Sequence, residues 1–255
     1  MRAVAAAFRM QLALVFRTPN FWMVQFVTPA QTILFLSVVD AFERPDLLAH
    51  AIIAPTLITI WYTAVWTGGS VVRNDRWNGA LELHAAAPTP YGVVIPARVA
   101  AVMSMALTAV PLALGTAALT YGVQVDIRQP WLLVGALLLV VIGTTGFAAI
   151  LTSMTILSRA ANTLQNSASY PFLLLGGVFV PLALLPAWAR PIGRLVFLSW
   201  GSDLVRDGIT EPAVSNVPGR MAALAALALA GFVVAHRLIR VVMRRVRVTG
   251  EIAVQ

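Results

Sequence analysis

The chain has 255 residues, of which 59% are apolar and only 11% are charged, and its formal net charge is +8. Soluble domains have about 25% charged residues, so this chain has too few charges to solvate a protein surface, which indicates a membrane protein. The absence of cysteine excludes a disulfide scaffold, a zinc ribbon and a thiol nucleophile. All 18 basic residues are arginines, which excludes the lysine-dependent P-loop of a nucleotide-binding protein.

The first predicted element is an amphipathic helix over residues 1–17. At about 100° per residue, one face of this helix holds Val4, Phe8, Leu12 and Val15. The opposite face holds Arg2, Arg9 and Arg17. This pattern predicts a helix that lies along the cytoplasmic leaflet, and Thr18-Pro19 then interrupts it. The alternative is an extended first span that contains a stray arginine.

Six later segments are apolar enough to cross a bilayer, for which a helix needs about 20 predominantly apolar residues. They are residues 18–39, 51–72, 99–125, 129–158, about 170–185 and 221–236. The last segment is short, but Arg220 and Arg237 flank it and can extend their charged groups to the two interfaces. The pattern predicts an all-α integral membrane protein with six transmembrane helices.

The arginines are distributed unevenly between the two sides that six spans define. The termini and the loops 73–98 and 158–169 carry twelve arginines against three acids, and the opposite side carries six against seven. Positive charge favours the cytoplasmic side, so we expect a multi-pass membrane protein with both termini cytoplasmic. Membrane topology accounts for the basic charge, and no nucleic-acid partner is needed to explain it.

Catalytic and metal-binding patterns are missing from the sequence. His50, His84 and His236 are scattered without metal-ligand spacing. Neither Gly-x-Ser-x-Gly nor His-Glu-x-x-His occurs. Asp40 and Arg98 lie at span ends, so no acid or base is placed confidently inside the bilayer core. We expect no cofactor or metal in this chain, and we expect any transport to be powered by a partner.

Residues 73–92 form a polar loop between two apolar spans. Good helix formers occupy residues 80–87, and Pro88 and Pro90 end the segment. The side chains expected at the water side are Arg73, Asp75, Arg76 and Glu82, whereas Leu81, Leu83 and Ala87 supply apolar surface. A short helix of this kind suits docking into a soluble partner. The alternative is a charged loop that only fixes topology.

The stretch DRWNGALELHAAAPTP within this loop resembles the cytoplasmic loop of ABC type-2 exporter permeases. The matching residues are Asp75, Arg76, Gly79, Leu81, Glu82 and Pro88. The sequence departs from the family pattern at Ala80, where threonine is usual, and at His84, where leucine is common. The resemblance implies that this loop is a coupling helix, between spans 2 and 3, that fits a groove in a nucleotide-binding subunit.

A second resemblance to the same family covers residues 181–208, between the fifth and sixth spans. The matching residues are Pro181, Pro186, Trp188, Asp203 and Arg206, whereas the usual Pro-Leu before the aspartate is missing. Apolar runs in this segment are too short to cross the membrane, so we expect re-entrant extracellular helices that dip into the outer leaflet. Asp203 and Arg206 are one helical turn apart, which predicts an ion pair. The alternative is an exposed extracellular loop.

The resemblance covers nearly the whole chain and implies a single ABC type-2 transmembrane domain over residues 1–255. Its parts are the interfacial helix 1–17, the coupling loop 73–92, the re-entrant segment 181–216 and a basic cytoplasmic tail 237–255. It further implies the permease subunit of an exporter of drugs, antibiotics or lipids in a bacterial plasma membrane. Two copies of an ATPase subunit would bind the ATP and Mg²⁺, and a second identical or related permease would complete the assembly within membrane lipid.

Three other functions stay open on sequence alone. The same machinery exports lipid-linked polysaccharides in part of the family. A membrane-embedded enzyme is a second possibility, although the chain lacks paired ionisable groups at a common depth. A non-transporting membrane assembly protein is the third, and such a protein would not need the coupling-loop pattern.

Overall fold

A computed structural model of the protein describes residues 2–68, 79, 91–123, 125–157 and 161–249. Every regular element within these ranges is helical, which confirms the all-α prediction. The α-helices, in chain order, are α1 (Arg2–Val15), α2 (Pro19–Ala41), α3 (Leu48–Tyr62), α4 (Tyr91–Ala106), α5 (Ala109–Tyr121), α6 (Pro130–Leu157), α7 (Ala161–Leu175), α8 (Ala189–Gly193), α9 (Phe197–Thr210) and α10 (Val217–Thr249). A π-helical turn, Thr63–Gly68, continues α3.

Among the described residues, five helical stretches are long and apolar enough to cross a membrane. They are Phe21–Ala41, Pro45–Thr67, Ala97–Tyr121, Pro130–Leu151 and Val217–Val241. These stretches coincide with the first four predicted spans and with the last one. The chain is therefore a multi-pass membrane protein.

The fifth predicted span differs from the structure in its bounds. The apolar run 170–185 is not a continuous helix, because α7 ends at Leu175 after 15 described residues. Gly177 takes a left-handed φ of +68°, its N–H donates to Leu174 O, and Val178 N–H donates to Leu173 O. This is a Schellman cap, which stops a helix where a glycine permits positive φ. Alone, α7 is shorter than the roughly 20 residues that a span requires.

The third span is divided by a turn at Leu107 and Thr108, between α4 and α5. Pro111 has no N–H to donate to the Leu107 carbonyl, so the helical hydrogen-bond ladder is interrupted there. The Thr108 hydroxyl donates to Met105 O at 2.7 Å and also to Gln25 Oε1 of α2 at 3.0 Å. The break therefore coincides with a polar contact between two spans.

The centre of the bundle is α3, which has no polar face and is buried over nearly its whole length. It packs against α2, α5 and α9. Trp61 of α3 is fully buried, and its ring lies 5.3 Å from Phe172 and 4.9 Å from Phe147, measured between ring centroids. A helix that is apolar all round must be surrounded by other elements, and α3 satisfies that requirement.

The second central element is α6, which packs against α10, α9 and α4. Its 28 residues correspond to about 42 Å of helix, enough to span a bilayer core of about 30 Å. By contrast, α2 and α10 lie at the periphery and expose apolar side chains along most of their length. We expect lipid or a partner protein to cover those faces.

The first helix packs against α4 along a stripe that overlaps only partly with its predicted apolar face. The buried side chains of α1 are Ala7, Gln11 and Val15, whereas Val4 is 38% exposed. Gln11 is buried because its Oε1 accepts a hydrogen bond from Arg98 Nε of α4 at 2.8 Å. The face of α1 that packs on α4 therefore includes a polar residue, and the placement of the apolar face on the cytoplasmic leaflet stays a prediction.

Candidate functional site

The coupling loop lies almost wholly outside the described residues. Of the eight residues predicted to take part in coupling, seven fall there: Arg73, Asp75, Arg76, Leu81, Glu82, Leu83 and Pro88. The structure describes the elements on both sides of the loop. The π-helical turn Thr63–Gly68 of the central span precedes it, and α4 follows it from Tyr91. In the chain, the predicted loop thus lies between two helices of the bundle.

Gly79 is the predicted coupling residue that the structure does describe. It is exposed, and its φ of +67° lies in the left-handed region. A Cβ added to Gly79 would meet nothing within 4 Å, so the backbone conformation and not crowding favours glycine there. A turn therefore precedes the run of helix formers at residues 80–87.

The segment 181–216 begins with Pro181, and a short 3₁₀ turn, Leu182–Leu184, follows directly. Leu182 and Leu185 are buried, and with Ala189 they form a small apolar cluster. The carbonyl of Pro186 accepts a hydrogen bond from Ala189 N–H at 2.9 Å, at the start of α8. Trp188 is 72% exposed, as a side chain facing lipid or a membrane interface would be.

Asp203 and Arg206 of α9 are brought together as their spacing predicted. Arg206 Nη1 lies 3.3 Å from Asp203 Oδ1, and both side chains are mostly buried. Arg194, which the sequence had not singled out, is the second partner of this carboxylate: its Nη1 donates to Asp203 Oδ2 at 2.8 Å. Asp203 therefore holds two guanidinium groups, one from its own helix and one from the turn before it.

Arg194 is positioned by an aromatic neighbour. Its guanidinium carbon lies 4.7 Å from the centroid of the Trp200 ring, within the range of a cation–π interaction. Trp200 in turn donates a hydrogen bond from Nε1 to the Arg194 carbonyl at 2.9 Å. No sequence pattern pairs Arg194 with Asp203, since the two residues lie on different elements.

The same charge cluster also holds the end of α7. Arg206 Nη2 donates to Gly177 O at 3.3 Å, and the buried hydroxyl of Ser202 donates to Gly176 O at 2.7 Å. His50, at the start of α3, lies with its Nε2 3.0 Å from Phe179 O. Four elements therefore meet at one place: the start of α3, the end of α7, the turn before α9, and α9 itself. These hydrogen bonds and ion pairs hold the four elements together. The side chains that form them do not include a pair of groups suited to acid–base catalysis.

A second ion pair links α9 to α10. Asp207 Oδ2 lies 2.7 Å from Arg220 Nη2, and both side chains are about four-fifths buried. A further pair, Arg44 with Asp46, lies before α3 and is exposed. Hydrogen bonds and the charge of Asp46 raise the pKa of Arg44 above its usual value. Of these pairs, those on α9 are placed to stabilise the tertiary structure, because exposed pairs contribute little.

Metal binding finds no support in the part of the chain that the structure describes. No group of three or more histidine, cysteine, aspartate or glutamate side chains converges there. His50 and His236 lie on α3 and α10, and His84 lies outside the described residues.

The comparison with protein families identifies the fold. The model of the ABC-2 type transporter family matches residues 2–210, from the first residue of α1 to the last of α9. The chain belongs to the ABC-2 type transporter family. No curated protein matches it.

The family match covers both segments in which the sequence resembles ABC type-2 permeases. Residues 73–92 and 181–208 both lie inside the matched range of this ABC-2 type transporter. The match identifies the chain as the membrane permease component of an ABC transporter. Permeases of this family normally work with an ATPase subunit.

Proposed function

We propose that this permease exports a hydrophobic or amphiphilic molecule, such as a drug, an antibiotic or a lipid, from a bacterial cell. The energy would come from ATP hydrolysed on a separate nucleotide-binding subunit. The observation that carries this proposal is the ABC-2 family match over residues 2–210, which includes a polar loop with the coupling pattern. Among the described residues, the π-helical turn that ends at Gly68 precedes the loop in the chain, and α4 begins at Tyr91.

The proposed topology has six spans with both termini in the cytoplasm. In this arrangement α7 belongs to the fifth span, and residues 181–216 form the re-entrant extracellular segment. Two features of the described helices support it. The helices α8 and α9 are too short to span, and α9 buries one face against α6, α3 and α7 while its other face is polar. The arginine asymmetry supports the same orientation.

The proposed complex contains two permeases, identical or related, and two ATPase subunits that bind ATP and Mg²⁺. Each ATPase subunit would dock on the coupling loop 73–92 of one permease. The interfacial helix 1–17 and the basic tail 237–255 would lie at the cytoplasmic membrane surface. The whole chain is then a single transmembrane domain.

Movement of the coupling loop would reach the membrane through helices that it adjoins. The loop connects the central span to α4, so its displacement moves two packed helices rather than one. Arg98 and Gln11 join α4 to α1, and α3 packs against α2, α5 and α9. Packed helices transmit such a displacement as rigid elements.

Glu82 provides the experiment that tests this function. On a helix over residues 80–87, Glu82 lies on the polar side and can accept charge-assisted hydrogen bonds from the ATPase subunit, each contributing about 1.5–3 kcal/mol. We expect Glu82→Ala to preserve expression and membrane insertion, because the side chain lies outside the bilayer. Substrate-stimulated ATP hydrolysis and export should both fall.

The matched control is Glu211→Ala, at an exposed acid next to α9. It should leave both activities unchanged. Normal stimulation and normal export by the Glu82 variant would show that residues 73–92 are only a charged tether. Failure of the wild-type chain to co-purify with any ATPase subunit would favour an assembly protein instead.

A further inference from the structure

Each of the first three spans contains a break in its α-helical hydrogen-bond ladder. Pro29 lies inside α2 and has no N–H to donate to the carbonyl of Gln25. The second span changes from α-helix to the π-helical turn at Thr63, and the third is divided at Leu107 and Thr108. By contrast, α6 and α10 are continuous over 28 and 33 residues, and neither has a proline beyond its first turn. Prolines and π-helical turns are the usual places where helices bend.

Side-chain hydrogen bonds join the three breaks to one another. Thr28, directly before Pro29, bonds to Thr59 at 2.6 Å between their Oγ1 atoms, and Thr59 lies one helical turn before the π-helical turn. Gln25 Oε1 accepts a hydrogen bond from the Thr108 hydroxyl at 3.0 Å. The breaks therefore lie at one level of the bundle. We call the two hydrogen bonds and the breaks that they join the belt.

The elements on the α1 side of the belt are packed together. Trp22, in the first half of α2, donates from Nε1 to Phe16 O at 2.9 Å, and the two ring centroids lie 6.1 Å apart. Arg98 of α4 donates to Gln11 of α1 at 2.8 Å, and α4 also packs against the π-helical turn. We call this group the α1-side body: α1, the first half of α2, the π-helical turn and α4.

The elements beyond the belt are held by a different set of contacts. A separate apolar cluster joins the last part of α2, the start of α3 and α5; its buried residues are Leu36, Ala51, Ile52, Ala113 and Ala117. The start of α3 is fixed in turn by α9, on which it packs, and by the contact of His50 with Phe179 O. Pro55 also lies inside α3, but it is buried on this side of the belt. The chain therefore has two packed groups that meet at the belt.

We propose that the α1-side body moves as one unit, which rotates about the belt and slides over α6, on which α4 packs. This inference rests on the proposed function for its driving force, because the coupling loop lies in the chain between two parts of this body, the π-helical turn and α4. From Pro29 back to Pro19, α2 is about 15 Å long. A change of about 20° in the angle at Pro29 therefore displaces the start of α2 by about 5 Å.

The test measures distances within the full chain in phosphatidylcholine nanodiscs by pulsed electron double resonance. The chain has no cysteine, so nitroxide labels attach only to two introduced ones. The inner pair, Met10→Cys with Val241→Cys, joins α1 to the last part of α10. The outer pair, Leu119→Cys with Leu195→Cys, joins α5 to the turn before α9. All four positions are exposed, and dilution with unlabelled chain restricts the distances to one molecule.

Two substitutions straighten the breaks. Pro29→Ala and Pro111→Ala each supply the missing N–H, and both variants should fold because alanine favours helix. Pro19→Ala is the matched control on α2, since an N–H in the first turn of a helix has no partner within the helix.

A third substitution loosens the belt. Thr28→Val removes the hydrogen bond to Thr59 at nearly equal volume. Thr116→Val is its matched control, because the Thr116 hydroxyl bonds only to Leu112 O within its own helix, away from the belt.

We expect the distance distribution of the inner pair in the wild-type chain to be wider than that of the outer pair by about 5 Å. Pro29→Ala and Pro111→Ala should each narrow it toward the width of the outer pair. Thr28→Val should widen it further, because the three breaks are then held together less firmly. The two control variants should match the wild type.

Three results would overturn the proposal. Equally narrow distributions for both pairs would show that the α1-side body does not move. Equally wide distributions would show that whole spans move without a hinge at the belt. An inner pair whose width is unchanged by both Pro29→Ala and Pro111→Ala would place the hinge elsewhere. The measurement needs no ATPase subunit, so its failure is distinguishable from failure of the coupling experiment on Glu82.

Discussion

The carboxylate of Asp203 is held by Arg194, which donates a hydrogen bond to it across 2.8 Å from the turn that precedes α9. The same carboxylate pairs with Arg206 at 3.3 Å, and its side chain is only 15% exposed. One acid therefore pairs with two cations, and one of those cations, Arg206, also donates to the backbone at the end of α7.

Removal of Asp203 should be the most damaging change in this cluster. Asp203→Ala leaves two neighbouring cations unpaired, so we expect it to lower the free energy of unfolding by about 2–4 kcal/mol. Arg194→Ala should lower it by less than about 1 kcal/mol, because Arg194 is 42% exposed. Thermal unfolding of the purified chain measures both effects.

The double variant Asp203→Ala/Arg206→Ala separates ion pairing from simple packing. It removes the more buried cation together with the acid, so its stability should be no lower than that of Asp203→Ala alone. The pairing would be contradicted if the loss of stability in the double variant equalled the sum of the losses in Asp203→Ala and Arg206→Ala.

The contact between Gln11 and Arg98 should stabilise the docking of α1 on α4. A hydrogen bond to a charged group contributes about 1.5–3 kcal/mol, so Gln11→Leu should lower the melting temperature measurably. Met10→Leu, at a neighbouring exposed position of α1, is the control and should leave the melting temperature unchanged. Identical melting curves for the wild type and Gln11→Leu would show that apolar packing alone holds α1.

Gly201 of α9 is a site of close approach to α6. A Cβ at Gly201 would overlap Val140 Cγ2, so Gly201→Ala should destabilise the chain by about 1–3 kcal/mol through overpacking. Gly231→Ala is the matched control in α10, where an added Cβ meets nothing within 4 Å. That change should be neutral or stabilise by up to about 1 kcal/mol, because alanine favours helix. Equal melting temperatures would contradict the packing of α9 on α6.

The orientation of the chain can be tested with reporter fusions. We expect a cytoplasmic signal from a fusion after residue 255 and external signals from fusions within residues 40–50 and 205–216, because the arginine excess lies with the termini. A cytoplasmic signal from residues 205–216 would show that the fifth or the sixth predicted span does not cross the membrane.

The sequence alone determined the features that depend on local pattern. Length and apolarity suffice to identify a membrane span, since the bilayer selects any long apolar helix whatever its neighbours are. Five of the six predicted spans accordingly coincide with helices that are long enough to cross. The Asp203–Arg206 pair was predictable for the same reason, because i,i+3 spacing on a helix brings two side chains together.

Tertiary structure alone decided where distant elements meet. The helix α7 ends at Leu175 with a glycine cap, and Ser202 and Arg206 of α9 bind the carbonyls that follow. Gln11 is buried because Arg98, 87 positions away, donates to it. Such contacts depend on how helices pack in three dimensions, and helical periodicity carries no information about which residue of another helix fills the facing position.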